Sequence, residues 1–485
     1  MKNESHPDTG TGCSRRTFVA ASLSVATGGL LAGGRLLAAA EQPVKGAGPA
    51  ARYTPRMKAA FVRRKEDYGI AWPGAIYDGA AAFKQYREKI GSAAKALGME
   101  IDARAEPIYS EEEGAQWVAQ AETERVDGLL LVMLDRQKHA WPTATRAVDS
   151  PVPTIIFSPI GTSFTTNTAP LARKEGAYIA STDDFNQAVY GMRMVRASAK
   201  LREARFLVIK GDESKEVRMA HFGTKMRYIP AQTFLDLYRH IPAGGETESI
   251  ADEYVSHAER VAGPSGKDVE NGVKSYLVAR RLLEQEEADG ITMDCLGALG
   301  ATQVSLPCIA WSRMLDHGVP AACEADLGAC IGHALVQYLF ERPGFQQDPV
   351  ADTSTQCLIG AHCTCPTRLN GFSEPPEPYF LSHHHGNRDA VPVPKWRAGQ
   401  RVTVMDVVLA QETQGKPRMI ISTGTVVDNV SVPPAGGCVV SVRVKLDGLD
   451  DLLAYPGFHQ LFFYGDYKRE LEAYCRLFRI QAQVV

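Results

Sequence analysis

Residues 126–134 read "VDGLLLVML", and residues 152–160 read "VPTIIFSPI". Each is a short and nearly unbroken apolar run, which is typical of a strand buried on both faces. The upstream segment 79–98, "GAAAFKQYREKIGSAAKALG", instead repeats its apolar residues every three or four positions, which is the period of an amphipathic helix. Strands that alternate with helices predict parallel sheets in open α/β layers.

A second cycle of the same kind begins near residue 172. It contains, in order, a predicted helix at 184–201, a strand at 204–211, a long helix at 268–288, a strand at 289–296 and a helix at 329–341. From about residue 355 the pattern changes. Alternating β-branched runs such as "RVTVMDVVLA" (401–410) and "CVVSVRVKL" (438–446) stand between Gly and Pro turns and predict an antiparallel barrel or sandwich.

The predicted fold class is therefore α/β, with two open parallel-sheet α/β domains followed by a β-barrel-like C-terminal domain that ends in one helix. The predicted segments are an export signal at 1–40, a linker at 41–52, a first α/β domain at 53–171, a second at 172–354 and the β-rich domain at 355–485.

Composition limits the classes of function. The chain has 485 residues, 45% of them hydrophobic and 22% charged, which fits a globular protein with several packed domains. Lys and Arg number 53 against 56 Asp and Glu, so the net charge is −3, and no basic stripe stands out. Nucleic acid is therefore not an expected partner, and a neutral small molecule is the more natural one.

The N-terminus has the pattern of a twin-arginine export signal. Arg15 and Arg16 precede a weakly apolar stretch rich in Gly and Ala, which ends at Ala40. Gly residues and the charged Arg35 interrupt that stretch, which argues against a membrane anchor. We expect recognition by the twin-arginine translocase, removal of residues 1–40 and a periplasmic or otherwise exported protein without a stable membrane anchor.

The cysteines do not form a disulfide framework. Nine follow the predicted signal, an odd number, and none stands in a Cys-x-x-Cys pair. Cys357, His362, Cys363 and Cys365 could form a zinc site, but their spacing matches none of the usual structural zinc patterns. Small buried apolar side chains are the favoured role.

Three motifs in the second half of the chain carry a resemblance to a known family. They are "PAACEADLGA" (320–329), "QQDPVADTSTQCLIGAHCTCPTRL" (346–369) and "YPGFHQLFFYGDYKRELEAYCRLFRIQ" (455–481). In order and spacing they resemble the L-fucose and L-arabinose isomerase superfamily over roughly residues 285–485. Residues 53–285 match that family only in their α/β pattern.

The resemblance implies a divalent metal held by Glu324, Asp348 and His459, and this mixed oxygen and nitrogen donor set suits Mn²⁺. It also implies that Glu324 and Asp348 are catalytic, that His362 contacts the substrate, and that the protein is a homo-oligomer acting on a small sugar. In that reading the two carboxylates move a proton between C2 and C1 of an aldose through an enediol.

Each of these residues has a plainer interpretation that the sequence leaves open. Glu324 follows a predicted strand end, where open α/β sheets place ligand groups, whereas Asp326 is better explained as the N-cap of the next helix. Asp348 precedes a proline and could be a turn acid. His362 and His459 lie in apolar strings, where a buried imidazole needs a partner.

The triplet His383, His384 and His385 stands beside Gly386 and Asn387, and a solvated loop is its favoured interpretation.

Two functions follow from the sequence as a whole. The first is an exported metal-dependent aldose–ketose isomerase. The alternative is a periplasmic carbohydrate-binding protein without turnover, which needs no metal.

Overall fold

The computed structural model describes residues 44–66, 69–70, 77–136, 140–242, 244–384, 388–409, 415–431 and 437–485. The predicted export signal at 1–40 and His385 lie outside the described residues. Within the described part of the chain, no helix combines the length and the apolar character needed to cross a membrane.

The first sheet has five strands, all parallel, in the doubly wound order β4-β1-β5-β6-β7. The strands of this part of the chain are β1 (Arg56–Val62), β2 (Gly69–Ile70), β3 (Tyr77–Asp78), β4 (Glu100–Ala103), β5 (Gly128–Met133), β6 (Thr154–Ser158) and β7 (Ala177–Ser181). The helices are α1 (Pro49–Arg52), α2 (Gly79–Leu97), α3 (Glu111–Glu124), α4 (Ala140–Asp149), α5 (Thr165–Ala172) and α6 (Asn186–Glu203).

The apolar runs of the sequence form the centre of this sheet. Every residue of β5 and of β6 is buried, as expected for strands covered by helices on both faces. The amphipathic segment 79–98 forms α2. Asp78 caps its start by accepting a hydrogen bond from the Ala81 N–H, and Gly98 ends it in the left-handed conformation, at φ 62°.

The second sheet has the order β13-β12-β8-β10-β9. Its strands are parallel except β9, which lies antiparallel at one edge. The strands are β8 (Arg205–Ile209), β9 (Lys215–Arg218), β10 (Lys225–Ile229), β11 (Val261–Ala262), β12 (Gly290–Met293) and β13 (Ala321–Cys323). The helices are α7 (Ala231–His240), α8 (Glu246–His257), α9 (Gly266–Gln285), α10 (Cys295–Leu299), α11 (Cys308–Asp316) and α12 (Leu327–Phe340).

The C-terminal part contains a closed barrel of six antiparallel strands, in the cyclic order β18-β21-β14-β15-β20-β19. Its elements are β14 (Phe345–Asp352), β15 (Cys357–His362), β16 (Tyr379–His384), β17 (Arg388–Pro394), β18 (Arg401–Val408), β19 (Arg418–Asn429), β20 (Val440–Leu446), a 3₁₀ turn (Leu452–Ala454), β21 (Gln460–Tyr464), α13 (Lys468–Leu477) and β22 (Gln481–Val484). Strands β16 and β17 form a hairpin outside the barrel that also pairs with β11.

The predicted class, α/β with parallel sheets and a β-barrel, is confirmed. Two details differ from the sequence prediction. The second sheet is not purely parallel, because β9 closes one edge in the antiparallel direction. In addition, β7 belongs to the first sheet although it lies beyond residue 171, and β14 belongs to the barrel although it begins before residue 355.

Candidate functional site

Glu324 lies at the carboxyl end of the second sheet. It directly follows β13, and it and Ala325 both have positive φ angles, of 61° and 54°. This left-handed turn is uncommon for residues other than Gly and turns the chain out of the strand before α12 begins. The Glu324 side chain is 38% exposed, so it lies at an opening rather than in the core.

The other predicted site residues come from neighbouring barrel strands. Asp348 lies on β14 and pairs in register with Ala361 on β15, next to His362. His459 immediately precedes β21, whose first residue, Gln460, pairs with Gln347 of β14. Because these three strands are adjacent in the barrel, three site side chains that are far apart in sequence arrive in one place.

The four predicted residues converge. His459 Nε2 lies 3.4 Å from Glu324 Oε2 and 3.3 Å from Asp348 Oδ1. His362 Nε2 lies 3.9 Å from Glu324 Oε1, and the two imidazole rings are 5.6 Å apart at their centroids. Donor atoms of Glu324, His362 and His459 all lie within 4.8 Å of one another, close enough for one ion to reach them.

Asp326 has two functions, of which the sequence predicted one. Its Oδ1 accepts the Ala329 N–H at 2.7 Å, which confirms the helix cap. Its Oδ2 lies 2.8 Å from His459 Nδ1. A carboxylate on one ring nitrogen fixes the tautomer that leaves the other nitrogen available to a metal. No short motif could reveal this contact, because it joins residues 133 positions apart.

Two glutamines hold the layers together at this point. Gln346 Oε1 accepts a hydrogen bond from the Cys323 backbone N–H at 2.8 Å, which ties barrel strand β14 to the residue before Glu324. Gln347 Nε2 donates to Gln460 Oε1 at 3.3 Å, which ties β14 to β21 beside His459. Both β14 glutamines are buried. The sequence analysis did not single them out, since isolated Gln residues carry no spacing signal.

The charges of the site are strongly coupled. Burial lowers the pKa of His459, but its contacts with Asp326 and Glu324 outweigh that effect and raise the pKa to about 10. The contact with His459 lowers the pKa of Glu324, and burial raises the pKa of Asp348. The contacts with Asp326 and Glu324 thus favour the protonated form of the His459 imidazole.

The donor set fits a divalent cation. Among the described residues, His459 Nε2 and Asp348 Oδ1 are buried and have no partner with hydrogen-bond geometry, although they lie 3.3 Å apart. Both atoms face the same small region as Glu324, and an ion there would satisfy them. Two carboxylates and one or two imidazoles form a mixed oxygen and nitrogen set suited to Mn²⁺ and similar ions.

The aromatic ring of Phe458 and the thiol of Cys438 lie at the entrance to the site. The side chain of Phe458 is 61% exposed, and its ring centroid lies 4.4 Å from that of His459. Cys438 Sγ lies 4.0 Å from Asp348 Oδ2. An exposed aromatic face beside polar groups is a common element of sites for small polar ligands.

The solvated-loop prediction for the histidine triplet is wrong for its first two members. His383 and His384 lie on strand β16 and are 8% and 2% exposed. His383 Nδ1 lies 3.0 Å from the Asp389 carbonyl oxygen across the hairpin. His383 and His384 thus belong to a paired strand and not to a solvated loop.

Comparisons with known proteins give little further information. No protein-family model matches the chain, and no curated protein matches it significantly. One weakly similar solved structure is an ABC transporter solute-binding protein from Burkholderia multivorans, with an unknown ligand represented as α-D-erythrofuranose. It is 13% identical, with a TM-score of 0.19, and the match covers 60% of this chain and 95% of that one.

A further weakly similar solved structure is a sugar-binding protein of a sugar ABC transporter from Bacillus halodurans. It is 15% identical, with a TM-score of 0.17, and the match covers 62% of this chain and 91% of that one. TM-scores this low carry no conclusion about this chain. The resemblance drawn from the motifs stays a prediction.

Proposed function

We propose that this site binds a divalent metal together with a small sugar and interconverts an aldose and its ketose through an enediol. The observation that carries the proposal is the convergence of Glu324, Asp348 and His459 from two structural layers, with Nε2 of the histidine within 3.4 Å of both carboxylates. Two acids beside one imidazole suit proton transfer between adjacent carbons.

Each residue has a separate task in this proposal. Glu324, Asp348 and His459 would hold the ion, and Asp326 orients the His459 ring through Nδ1. A bound divalent ion would act as a Lewis acid on the sugar and so make the C2 proton more acidic. One of the two carboxylates takes the C2 proton, and the other gives a proton to C1. His362 contacts a sugar hydroxyl, and exposed Phe458 packs against an apolar face of the ring.

An isotope exchange experiment tests the reaction. The protein is incubated with Mn²⁺ and a panel of pentoses and 6-deoxyhexoses in D₂O. We expect deuterium at C2 of the recovered aldose or at C1 of the ketose. Glu324→Gln should abolish the exchange, because it keeps the side-chain volume but removes the base. Glu374→Gln is the matched control, since Glu374 is exposed in a loop. Exchange that survives in Glu324→Gln would contradict the role of this carboxylate.

A carbohydrate-binding protein without turnover is the second candidate. The observation that favours it is that His459 already has ion-pair contacts of 3.4, 2.8 and 3.3 Å with Glu324, Asp326 and Asp348, so its imidazole is paired without a metal. Such a cluster can donate to and accept from sugar hydroxyls as it stands. A sugar that raises the melting temperature in the presence of a chelator and shows no exchange would favour this candidate over the enzyme.

We also propose that the protein is exported through the twin-arginine signal at Arg15 and Arg16 and that it is a homo-oligomer. The paired arginines support the former. The resemblance of the three C-terminal motifs supports the latter.

A further inference from the structure

A group of buried thiols and imidazoles lies directly beneath the proposed sugar site. It contains Cys308, Cys323, Cys363 and His384, which are 2%, 3%, 6% and 2% exposed. His362 joins the two groups of residues, because its Nε2 faces Glu324 and its Nδ1 lies 3.3 Å from Cys363 Sγ. All nine cysteines of the described chain are free thiols. The proposed reaction uses none of them.

Cys363 is the centre of this cluster. Its Sγ, Cys308 Sγ and a ring nitrogen of His384 all lie within 4.8 Å of one another. A second triad, formed by Cys323, His362 and again Cys363, satisfies the same limit. Neither triad contains Cys357 or Cys365, the other members of the zinc site considered from the sequence.

Four different elements supply the donors, each from its end. Cys308 is the first residue of α11, Cys323 is the last residue of β13, Cys363 follows β15 and His384 is the last residue of β16. Thiolates are the form in which cysteine binds metals.

From this geometry we infer a second metal site, in which Cys308, Cys363 and His384 bind a thiophilic closed-shell ion, Zn²⁺ or Cu⁺, and Cys323 can supply a fourth donor. Sulfur and imidazole donors select these ions over Mn²⁺, which prefers the oxygen-rich site above. Two thiolates on one zinc ion lie about 3.8 Å apart, so donors within 4.8 Å need only small side-chain movements. The thiol protons leave to solvent when the ion binds.

The thiol-rich metal site does not depend on the proposed sugar chemistry, and a metal titration tests it separately from the sugar site. The full chain is reduced, freed of metal and titrated with Co²⁺ as a spectroscopic probe, then with Zn²⁺ and, under anaerobic conditions, with Cu⁺ against a competing chelator. We expect thiolate-to-cobalt charge-transfer absorption that saturates at one ion per chain and disappears when Zn²⁺ or Cu⁺ is added. The ion that competes better is the one that this site binds more tightly.

Variants assign the donors. Cys363→Ala should weaken binding of the competing ion more than about a hundredfold, because losing a donor costs more than losing a group that only orients one. Cys475→Ala is the matched control, since Cys475 is equally buried but packs against Met419 Sδ, 3.6 Å away. Glu324→Gln should leave the charge-transfer absorption unchanged, which distinguishes this site from the proposed catalytic one.

The wild-type titration keeps the inference testable even if Cys363→Ala does not fold. Reduced wild-type protein without charge-transfer absorption would overturn it. So would a Cys363→Ala variant that folds and binds the ions like the wild type. A Cys308–Cys363 or Cys323–Cys363 disulfide in the protein as isolated, found by mass spectrometry after alkylation, would also overturn it in favour of a redox pair.

Discussion

Replacing Asp326 by Asn tests the orientation of His459 with little other change. Asn is as good an N-cap as Asp, so the hydrogen bond from the Ala329 N–H survives and α12 keeps its start. What changes is the 2.8 Å contact with His459 Nδ1, where an amide group replaces a carboxylate. In the wild type the Asp326 carboxylate holds the ring proton on Nδ1, which leaves Nε2 available to the ion. The His459 ring loses this partner in the variant.

The expected effect is a loss of Mn²⁺ affinity. Removing a carboxylate that orients a metal-binding histidine costs about 10–100-fold in affinity, which corresponds to about 1.4–2.7 kcal/mol. Asp326→Ala loses the cap as well, and should lower the free energy of unfolding by a further ~0.5–2 kcal/mol. Calorimetric Mn²⁺ titration gives the affinity, and urea unfolding of the metal-free protein gives the stability.

The control is Asp78→Asn, because Asp78 caps α2 in the same way but has no contact with the site residues among the described chain. It should leave Mn²⁺ affinity unchanged. The reasoning is refuted if Asp326→Asn binds Mn²⁺ as tightly as the wild type. It is also refuted if the two Asp326 variants lose affinity only in proportion to their loss of stability, because Asp326 would then act through the helix alone.

Two further predictions concern a buried histidine and an exposed ring. Burial lowers the pKa of His333 to about 3, while a free imidazole titrates near 6.5. Between these two pKa values His333 binds a proton in the unfolded chain but not in the folded chain. It therefore lowers the free energy of unfolding by about 2 kcal/mol as the pH falls from 7 to 5. His333→Leu should remove this contribution, and parallel stability curves for variant and wild type in urea unfolding at the two pH values would contradict it. Phe458→Ala should weaken sugar binding by about 2–10-fold with little change in melting temperature, because the ring is 61% exposed. Leu453→Ala, at a side chain 74% exposed, is its control, and equal sugar binding by both variants would exclude a role for the ring.

Local patterns in the sequence predicted much of the fold. The unbroken run at 126–134 became a fully buried strand, and the three-to-four-residue period at 79–98 became α2, because both depend on neighbours close in sequence. Asp326 was recognised as a cap for the same reason. The antiparallel edge strand β9 was not predicted, since four exposed residues give no apolar signal.

The candidate site, like the fold, was predicted from the sequence only in part. Motif order singled out Glu324, Asp348, His362 and His459, and the structure brings them together. The order of the motifs could not reveal the contact between Asp326 and His459, or the thiol cluster. Strand register and the closure of the barrel decide which distant residues meet. The neighbouring Gly and Asn favoured a loop in the sequence, whereas His383 and His384 lie on the paired strand β16.

The hydrogen bond between Gln346 and the Cys323 backbone joins the barrel to the edge of the second sheet beside the site. Asp348, His362 and His459 belong to one closed ring of strands, whereas Glu324 belongs to the edge of a separate sheet. A ligand that contacts both sides acts as a cross-link between the barrel and the edge of the second sheet. Amide hydrogen exchange should therefore slow on ligand binding at β13 and the first turn of α12, while the centre of the barrel, protected by its own closed ladder, changes little.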